Sequence, residues 1–454
     1  MATSADRMAQ GLNLAKFAKA TDLKKRLWFT IGALIVFRLL SYVPLPGIDP
    51  TALGLLNQQT QGGVLDFFNT FSGGALSRMS LIALGIMPYI TASIVVQLAT
   101  SLSPTLGAIK KEGESGRKRL NQYTRYGTVG LTAIQGYFIA VGLEALGATQ
   151  GVQAVIEPGM TFRIAAVISL VGGTMFLMWL GEQITSRGIG NGVSLIIMAG
   201  IVASLPTTLV QLLEGGRSGS LDPIRIIGII LLVVALVLFI CFMERAQRRI
   251  LIQYPKRQTQ RGMQADRSHL PLKINTAGVI PPIFASSLLL MPLTVSQFAG
   301  QRIAGESAWG DFIIGLNQYL QHGQPLYMLL YGAGIIFFSF FYTAVVFNPE
   351  ETAENLKRYG GFVPGIRPGK NTETYFDYVL TRITVIGAAY LTTICLLPEY
   401  ITAALGIPFL LAGTSLLIVV NVTMDTVTQI QSHLLAHQYG DLIKKAKLKG
   451  GRLR

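Results

Sequence analysis

Long apolar runs recur along this chain, and they confine it to one kind of solvent. The segments 27–43, 79–100, 124–146, 159–181, 190–213, 223–243, 276–297, 325–347, 379–398 and 407–425 each read as a helix that crosses a bilayer. Hydrophobic residues make up 50% of the 454, and charged residues only 13%, where a soluble domain carries about 25% charged residues. The predicted fold class is an all-α polytopic membrane protein with ten transmembrane helices. The first apolar run ends at Pro44-Leu45-Pro46-Gly47 rather than at a small-residue cleavage site, so it reads as a retained span. Arg38 near its outer end is expected to snorkel toward the interface.

One apolar piece does not fit this scheme. Segment 64–71 carries Val64, Leu65, Phe67, Phe68 and Phe71, with the valine and phenylalanines on one helical face. It is too short to cross a bilayer, which takes about 20 apolar residues. Ser72-Gly73-Gly74 separates it from the full-length run that follows, and glycine permits a hinge there. Broken backbone at membrane depth is tolerated only inside protein or beside a watery cavity. Two readings stand: a re-entrant loop packed as filler, or a gate or binding site, since broken helices recur at such sites.

Charge sets the orientation. Lys110, Lys111, Arg117, Lys118, Arg119 and Arg125 follow the second span; Arg245, Arg248, Arg249, Lys256, Arg257, Arg261, Arg267 and Lys273 follow the sixth. Lys357, Arg358, Arg367, Lys370 and Arg382 follow the eighth, and Lys444, Lys445, Lys447, Lys449, Arg452 and Arg454 follow the tenth. The alternate loops hold few cations, so both termini are expected in the cytoplasm. This accounts for most of the net charge of +15 without nucleic acid. The chain then divides into a cytosolic segment 1–26, spans one to five over 27–215 with the hinged piece 64–74, spans six to ten over 216–426, and a basic tail 427–454. Loops 244–275 and 348–378 are large. The second holds Gly365-Ile366-Arg367-Pro368-Gly369, a turn-rich tip whose arginine exceeds what topology requires. A basic, protruding loop of this kind suits electrostatic docking of a large cytosolic partner.

Several activities are disfavoured. Glu182, Asp377, Glu399 and Asp425 fall at span edges, so the pathway of ionisable groups that proton-coupled transporters need is not evident. His269, His322, His433 and His437 lie outside the spans, and Cys241 and Cys395 sit singly in apolar segments; neither a metal cluster nor a catalytic pair emerges. A P-loop is absent from the sequence. The expectation is a protein that is not an enzyme and holds no cofactor and no metal. A small-solute transporter and a pore-less insertion scaffold remain as alternatives.

Longer motifs point further. The run Ser80-Leu81-Ile82-Ala83-Leu84-Gly85-Ile86-Met87-Pro88-Tyr89-Ile90-Thr91-Ala92-Ser93, closing at Gln97, resembles a signature of the SecY family of bacterial protein-translocation channels. So do Phe176-Leu177-Met178-Trp179-Leu180-Gly181-Glu182-Gln183-Ile184-Thr185 with Gly188-Ile189-Gly190-Asn191-Gly192, and Lys110-Lys111-Glu112-Gly113-Glu114-Ser115-Gly116-Arg117. Phe362-Val363-Pro364-Gly365-Ile366-Arg367-Pro368-Gly369 and Gly413-Thr414-Ser415-Leu416-Leu417-Ile418-Val419-Val420 extend the match over nearly the whole chain.

That resemblance implies two pseudo-symmetric halves around a central hourglass pore, in a bacterial cytoplasmic (inner) membrane. It implies a channel that passes unfolded secretory polypeptides and releases transmembrane segments laterally. The pore ring would be Ile86, Ile90, Val193, Ile197, Ile283 and Ile418, with Val193 where the family commonly has isoleucine. The plug would be Val64, Leu65, Phe67, Phe68, Phe71, Gly73 and Gly74. The lateral gate, between spans two and seven, would carry Thr91, Ser93, Gln97, Asn275 and Thr276. Implied partners are the SecE and SecG subunits, the SecA motor ATPase, the ribosome (its RNA reached by the cytosolic loops), signal sequences with nascent polypeptides, and membrane lipid; Arg367, with Arg248, Arg249, Arg257 and Arg261 on the neighbouring loop, would dock the motor and the ribosome. Absence of charge at mid-membrane suits such a pore, because a dry aliphatic waist resists ion flow.

Overall fold

A computed structural model of the chain describes residues 21–49, 69, 71–150, 155–219, 222–254, 257–259, 262–264, 267–289, 319–320, 324–405 and 413–450. Helices dominate. α1 spans Thr21–Leu40, α2 Met87–Leu102, α3 Pro104–Lys111, α4 Glu114–Gln150, α5 Met160–Arg187, α6 Gly192–Arg217 and α7 Pro223–Arg245. After a β insertion come α8 (Ile280–Leu289), α9 (Pro325–Val346), α10 (Pro349–Arg358), α11 (Lys370–Leu405) and α12 (Gly413–Gly450). A helix therefore lies in every one of the ten expected spans. Six helices (α4, α5, α6, α7, α9 and α11) contain stretches long and apolar enough to cross a membrane alone. α2 and α3 pass the same test together as one broken span, bent by 102°.

One span differs from expectation for a readable reason. The second was expected to be helical from 79, yet α2 begins at Met87. Pro88 sits in its first turn, where a missing N–H costs nothing; a helix begun earlier would bring the ring against the carbonyl four residues back. Gly85 at φ +58° and Met79 at φ +41° further interrupt the run. At 16 residues α2 is about 24 Å long, short of the roughly 30 Å hydrocarbon core; the buried turns of 71–86 precede it. In the seventh span, the described helix is limited to Ile280–Leu289, and 290–297 lie outside the described residues.

The helices pack by chain neighbourhood within each half and at one seam between them. α4 lies along α5 and α2, α5 along α1 and α6, and α9 along α11. α12 packs on α6 and α1 as well as on α7 and α11, which joins the two ends of the chain. The main core runs through both halves, from Phe37 and Phe71 through Leu177 and Ile201 to Ile335, Leu391 and Leu417. Glycines set the closest approaches: a Cβ on Gly192 would overlap the Gly181 carbonyl, and one on Gly413 would overlap the Ile394 carbonyl. α7 leaves Ile224, Ile227, Leu231, Leu238 and Phe242 exposed, as a lipid-facing helix does.

The loop after α7 is not a simple tether. β1 (Gln247–Gln253) pairs antiparallel with β4 (Arg267–Lys273), from Gln247 opposite Lys273 to Gln253 opposite Arg267. Beyond it β2 (Arg257–Thr259) pairs with β3 (Gly262–Gln264). The all-α expectation thus needs this small β addition. The ladder buries Ile250 and Leu272 against Val363, Phe376, Leu380 and Ile383 in a second core of its own.

Candidate pore constriction and plug seat

The six expected ring positions come from four helices and the turn before one of them. Ile86 closes the turn leading into α2 and Ile90 follows one turn later. Val193 and Ile197 are one turn apart at the start of α6, Ile283 is on α8 and Ile418 on α12. All belong to the main core: five are between 1% and 8% exposed, and Val193 packs against the same cluster. The start of α6 is held firmly. Asn191 caps it by accepting from the Val193 and Ser194 N–H groups, and Thr185 Oγ1 accepts from Gly192 N–H at 2.8 Å. Thr30 of α1 accepts from Ile189 N–H, and Gln429 of α12 from Gly190 N–H at 2.9 Å. A capped, cross-braced turn orients Val193 and Ile197.

Below the turn into α2 lies an irregular segment, 71–86, buried in the bundle. Phe71, Ser72, Ala75, Leu76, Ile82 and Ala83 are all buried, and Gly73 and Gly74 adopt φ of +67° and +80°. Its backbone rests directly on helical glycines. A Cβ on Gly200 of α6 would overlap the Phe71 carbonyl, and one on Gly173 of α5 would overlap the Leu81 carbonyl. Small residues allow this kind of close approach in membranes. The polar groups of the segment find local partners. Asn69 accepts from Gly74 N–H at its carbonyl and from Ser77 N–H at its side chain, Leu45 N–H donates to the Met79 carbonyl, and Leu81 N–H to the Val43 carbonyl.

Of the expected plug, Phe71, Gly73 and Gly74 belong to this segment; Val64, Leu65, Phe67 and Phe68 lie outside the described residues. Arg38 does not behave as a snorkelling residue. Its Nη1 donates to the Gly73 carbonyl at 2.7 Å, and Nη2 to the Tyr42 hydroxyl at 3.0 Å. Arg78 joins it there, donating from Nη2 to the same carbonyl at 3.0 Å and from Nε to the Ser41 carbonyl at 3.2 Å. Sequence reasoning passed over Arg78, Tyr42, Gly173 and Gly200. The available signal was an arginine next to an apolar run on the cation-poor side of the chain.

Of the expected gate residues, Thr91, Ser93, Gln97 and Thr276 turn to their own segments. Thr91 donates to the Met87 carbonyl, Gln97 to Ser93 at 3.5 Å, and Thr276 to the Lys273 carbonyl. Asn275 is buried and donates to Glu244 Oε1 at 2.6 Å and to the Gly278 carbonyl at 3.1 Å. It braces the start of the seventh span against α7 rather than reaching α2. Ile86, Ile90 and Ile283 belong to the same extended apolar core.

At the other end of the bundle, the ladder and the Pro-Gly loop form one platform. Gln253 and Phe362 exchange both backbone hydrogen bonds at 2.9 Å. Arg367 is exposed at the turn tip, its carbonyl accepting from Thr372 Oγ1. Arg248 and Arg249 are exposed on β1. Arg257 begins β2, and Arg261 lies outside the described residues.

Comparison with known proteins agrees with this arrangement. The chain is 55% identical to protein translocase subunit SecY of Escherichia coli K12 over 430 residues, covering 94% of this chain and 96% of the relative. It is 55% identical to the protein of the same name from Vibrio cholerae, over 95% of this chain and 96% of that one. The fold matches a solved protein-conducting channel with a TM-score of 0.64 at 18% identity, covering 90% of this chain and 92% of that one. It also matches Sec61 of a canine ribosome–channel complex with a TM-score of 0.62 at 18% identity, over 90% and 92% of the two chains. The SecY family model matches residues 80–427, which take in α2, the braced start of α6, the platform and the start of α12, and the chain belongs to the SecY family.

Proposed function

We propose that this chain is the channel subunit of a protein translocase, passing unfolded polypeptide between its two halves and releasing apolar segments to lipid between α2 and α8. The observation that carries the reading is the pairing of a buried, irregular segment with six aliphatic positions in one core. Broken backbone at this depth is otherwise costly, and a waist of branched aliphatic side chains passes varied side chains while excluding water when closed. The role is non-catalytic: a partner supplies the energy.

In this reading Ile86, Ile90, Val193, Ile197, Ile283 and Ile418 are the ring, and 64–74 the plug beneath it. The ladder and the Pro-Gly loop face the cytoplasm of a bacterial inner membrane, with both termini on that side, in keeping with the basic loops. Arg367, Arg248 and Arg249 contact the SecA motor and the ribosome there, and SecE and SecG cover apolar faces. Arginine suits such docking because its fork binds a carboxylate or phosphate with two bonds.

The test is a stalled secretory chain crosslinked to single cysteines. Ile86→Cys, Ile197→Cys and Ile283→Cys should each capture it, and Leu231→Cys on the exposed face of α7 should not. Equal capture at all four positions would remove the ring assignment.

A further inference from the structure

Resting on the plug reading, we propose that Arg38, Arg78 and Tyr42 form a latch that sets how readily the plug hinge leaves its seat, and so how stringently the channel selects signal sequences. Both guanidiniums converge on one atom, the Gly73 carbonyl oxygen, at 2.7 and 3.0 Å. A carbonyl oxygen has two lone pairs, and here both are taken by cationic donors. The guanidiniums also share one ring: Arg78 Cζ lies 4.3 Å and Arg38 Cζ 5.0 Å from the Tyr42 centroid. Each arginine has a second anchor at the end of α1, Arg38 on the Tyr42 hydroxyl and Arg78 on the Ser41 carbonyl. The latch thus ties the hinge to α1 while Gly73, in its left-handed conformation, lies flat against Gly200; a Cβ there would sit 3.1 Å from the Gly200 Cα.

Two properties follow. First, both arginines hold the hinge through the same main-chain atom, so a displacement of about 1 Å stretches both bonds beyond hydrogen-bond range together, and the arginine hold is lost abruptly. Second, two like charges are held side by side with a ring and carbonyl oxygens for partners, and neither arginine forms an ion pair among the described residues. Their mutual repulsion lowers the barrier to letting go. Arg38 and Arg78 are therefore positioning residues, acting on the pore through the hinge.

The test uses the complete translocase in planar bilayers and vesicles. Arg38→Gln, Arg78→Gln, the double variant and Tyr42→Phe are compared with a variant lacking 64–71. Readouts are leak conductance, export of a substrate with a defective signal sequence, and labelling of Ser72→Cys by a membrane-impermeant maleimide. Each single glutamine variant should raise labelling about tenfold, as expected for losing a charge-assisted hydrogen bond, and should raise leak and defective-signal export. The double variant should add little to either single, because the donors act as a unit. Arg78→Lys should fall between, since one ammonium cannot bridge both carbonyls, and Tyr42→Phe should move the same readouts by less. If the lysine and phenylalanine variants, at equal channel amounts, match the parent in all three readouts while the 64–71 deletion leaks, the latch is wrong and the plug stands. If the deletion itself does not leak, both fall.

Discussion

Two stretches of this molecule interrupt the helices with irregular or extended backbone, and they solve the problem differently. The platform, built from β1–β4 and the Pro-Gly loop, pairs its backbone in ladders and buries a core of its own around Phe376, Ile250 and Val363. The segment 71–86 has, among the described residues, no sheet to join beyond the single bridge of Pro44 and Ser80. It meets its backbone needs one group at a time, with Asn69, Val43 and two arginines, and draws its packing from α5 and α6. A self-contained unit stays folded when its surroundings shift. A segment held by scattered single contacts depends on its neighbours and can be released by changing few of them. Their difference suits a fixed docking surface on one side and a movable seal on the other.

The comparison can be broken most forcefully from the platform. Phe376→Ala removes a fully buried ring and should cost about 3–5 kcal/mol. Motor-driven export into vesicles should collapse while leak conductance stays at the parent level. A leak here would mean that the platform and the seal are not separate units. Gly200→Val drives a side chain into the Phe71 carbonyl, an overpacking of about 1–3 kcal/mol. Its effect should be the mirror image: raised leak, with motor binding intact in a pull-down.

The ring is probed by Ile86→Asn combined with Ile283→Asn. Each asparagine leaves a buried amide short of partners, costing about 1–3 kcal/mol where water does not enter. Hydration of the waist relieves that cost, so leak should rise with a smaller loss of thermal stability than the same pair would cause in the platform core. A loss of folded protein without any leak would argue for ordinary packing positions. The mildest change is Arg367→Glu. It sits on an exposed turn tip, so stability should move by less than about 0.5 kcal/mol, with motor-driven export reduced and conductance unaltered. Wild-type export rates would falsify the docking role.

Much of this was legible from the residues. The apolar runs marked where the helices lie, and the basic loops marked which end carries the platform. Ile86 and Ile418 could be singled out from the other isoleucines only through the family resemblance, since burial alone does not distinguish a waist from a core. The misreadings share a cause. Hydropathy reports burial and not conformation, so 79–86, as apolar as any helix, reads as helical although Gly85 and Pro88 interrupt it. The arginines of Gln247–Gln253 hide the strand, because their charge outweighs Ile250, which enters the second core, and the equally buried Ile252. Arg38 was assigned to the interface because its partner, Gly73, lies 35 residues away and offers only a main-chain oxygen. Asn275 found Glu244 in the same way, across 31 residues.

Gly173 and Gly200 meet their visitor through its main chain. A surface of that kind reads the path of a chain and is blind to most of its side chains. The inherited constraint is therefore unevenly distributed. The glycines tolerate no enlargement because a main chain lies on them, while the side chains of the segment that rests there answer to the rest of the core.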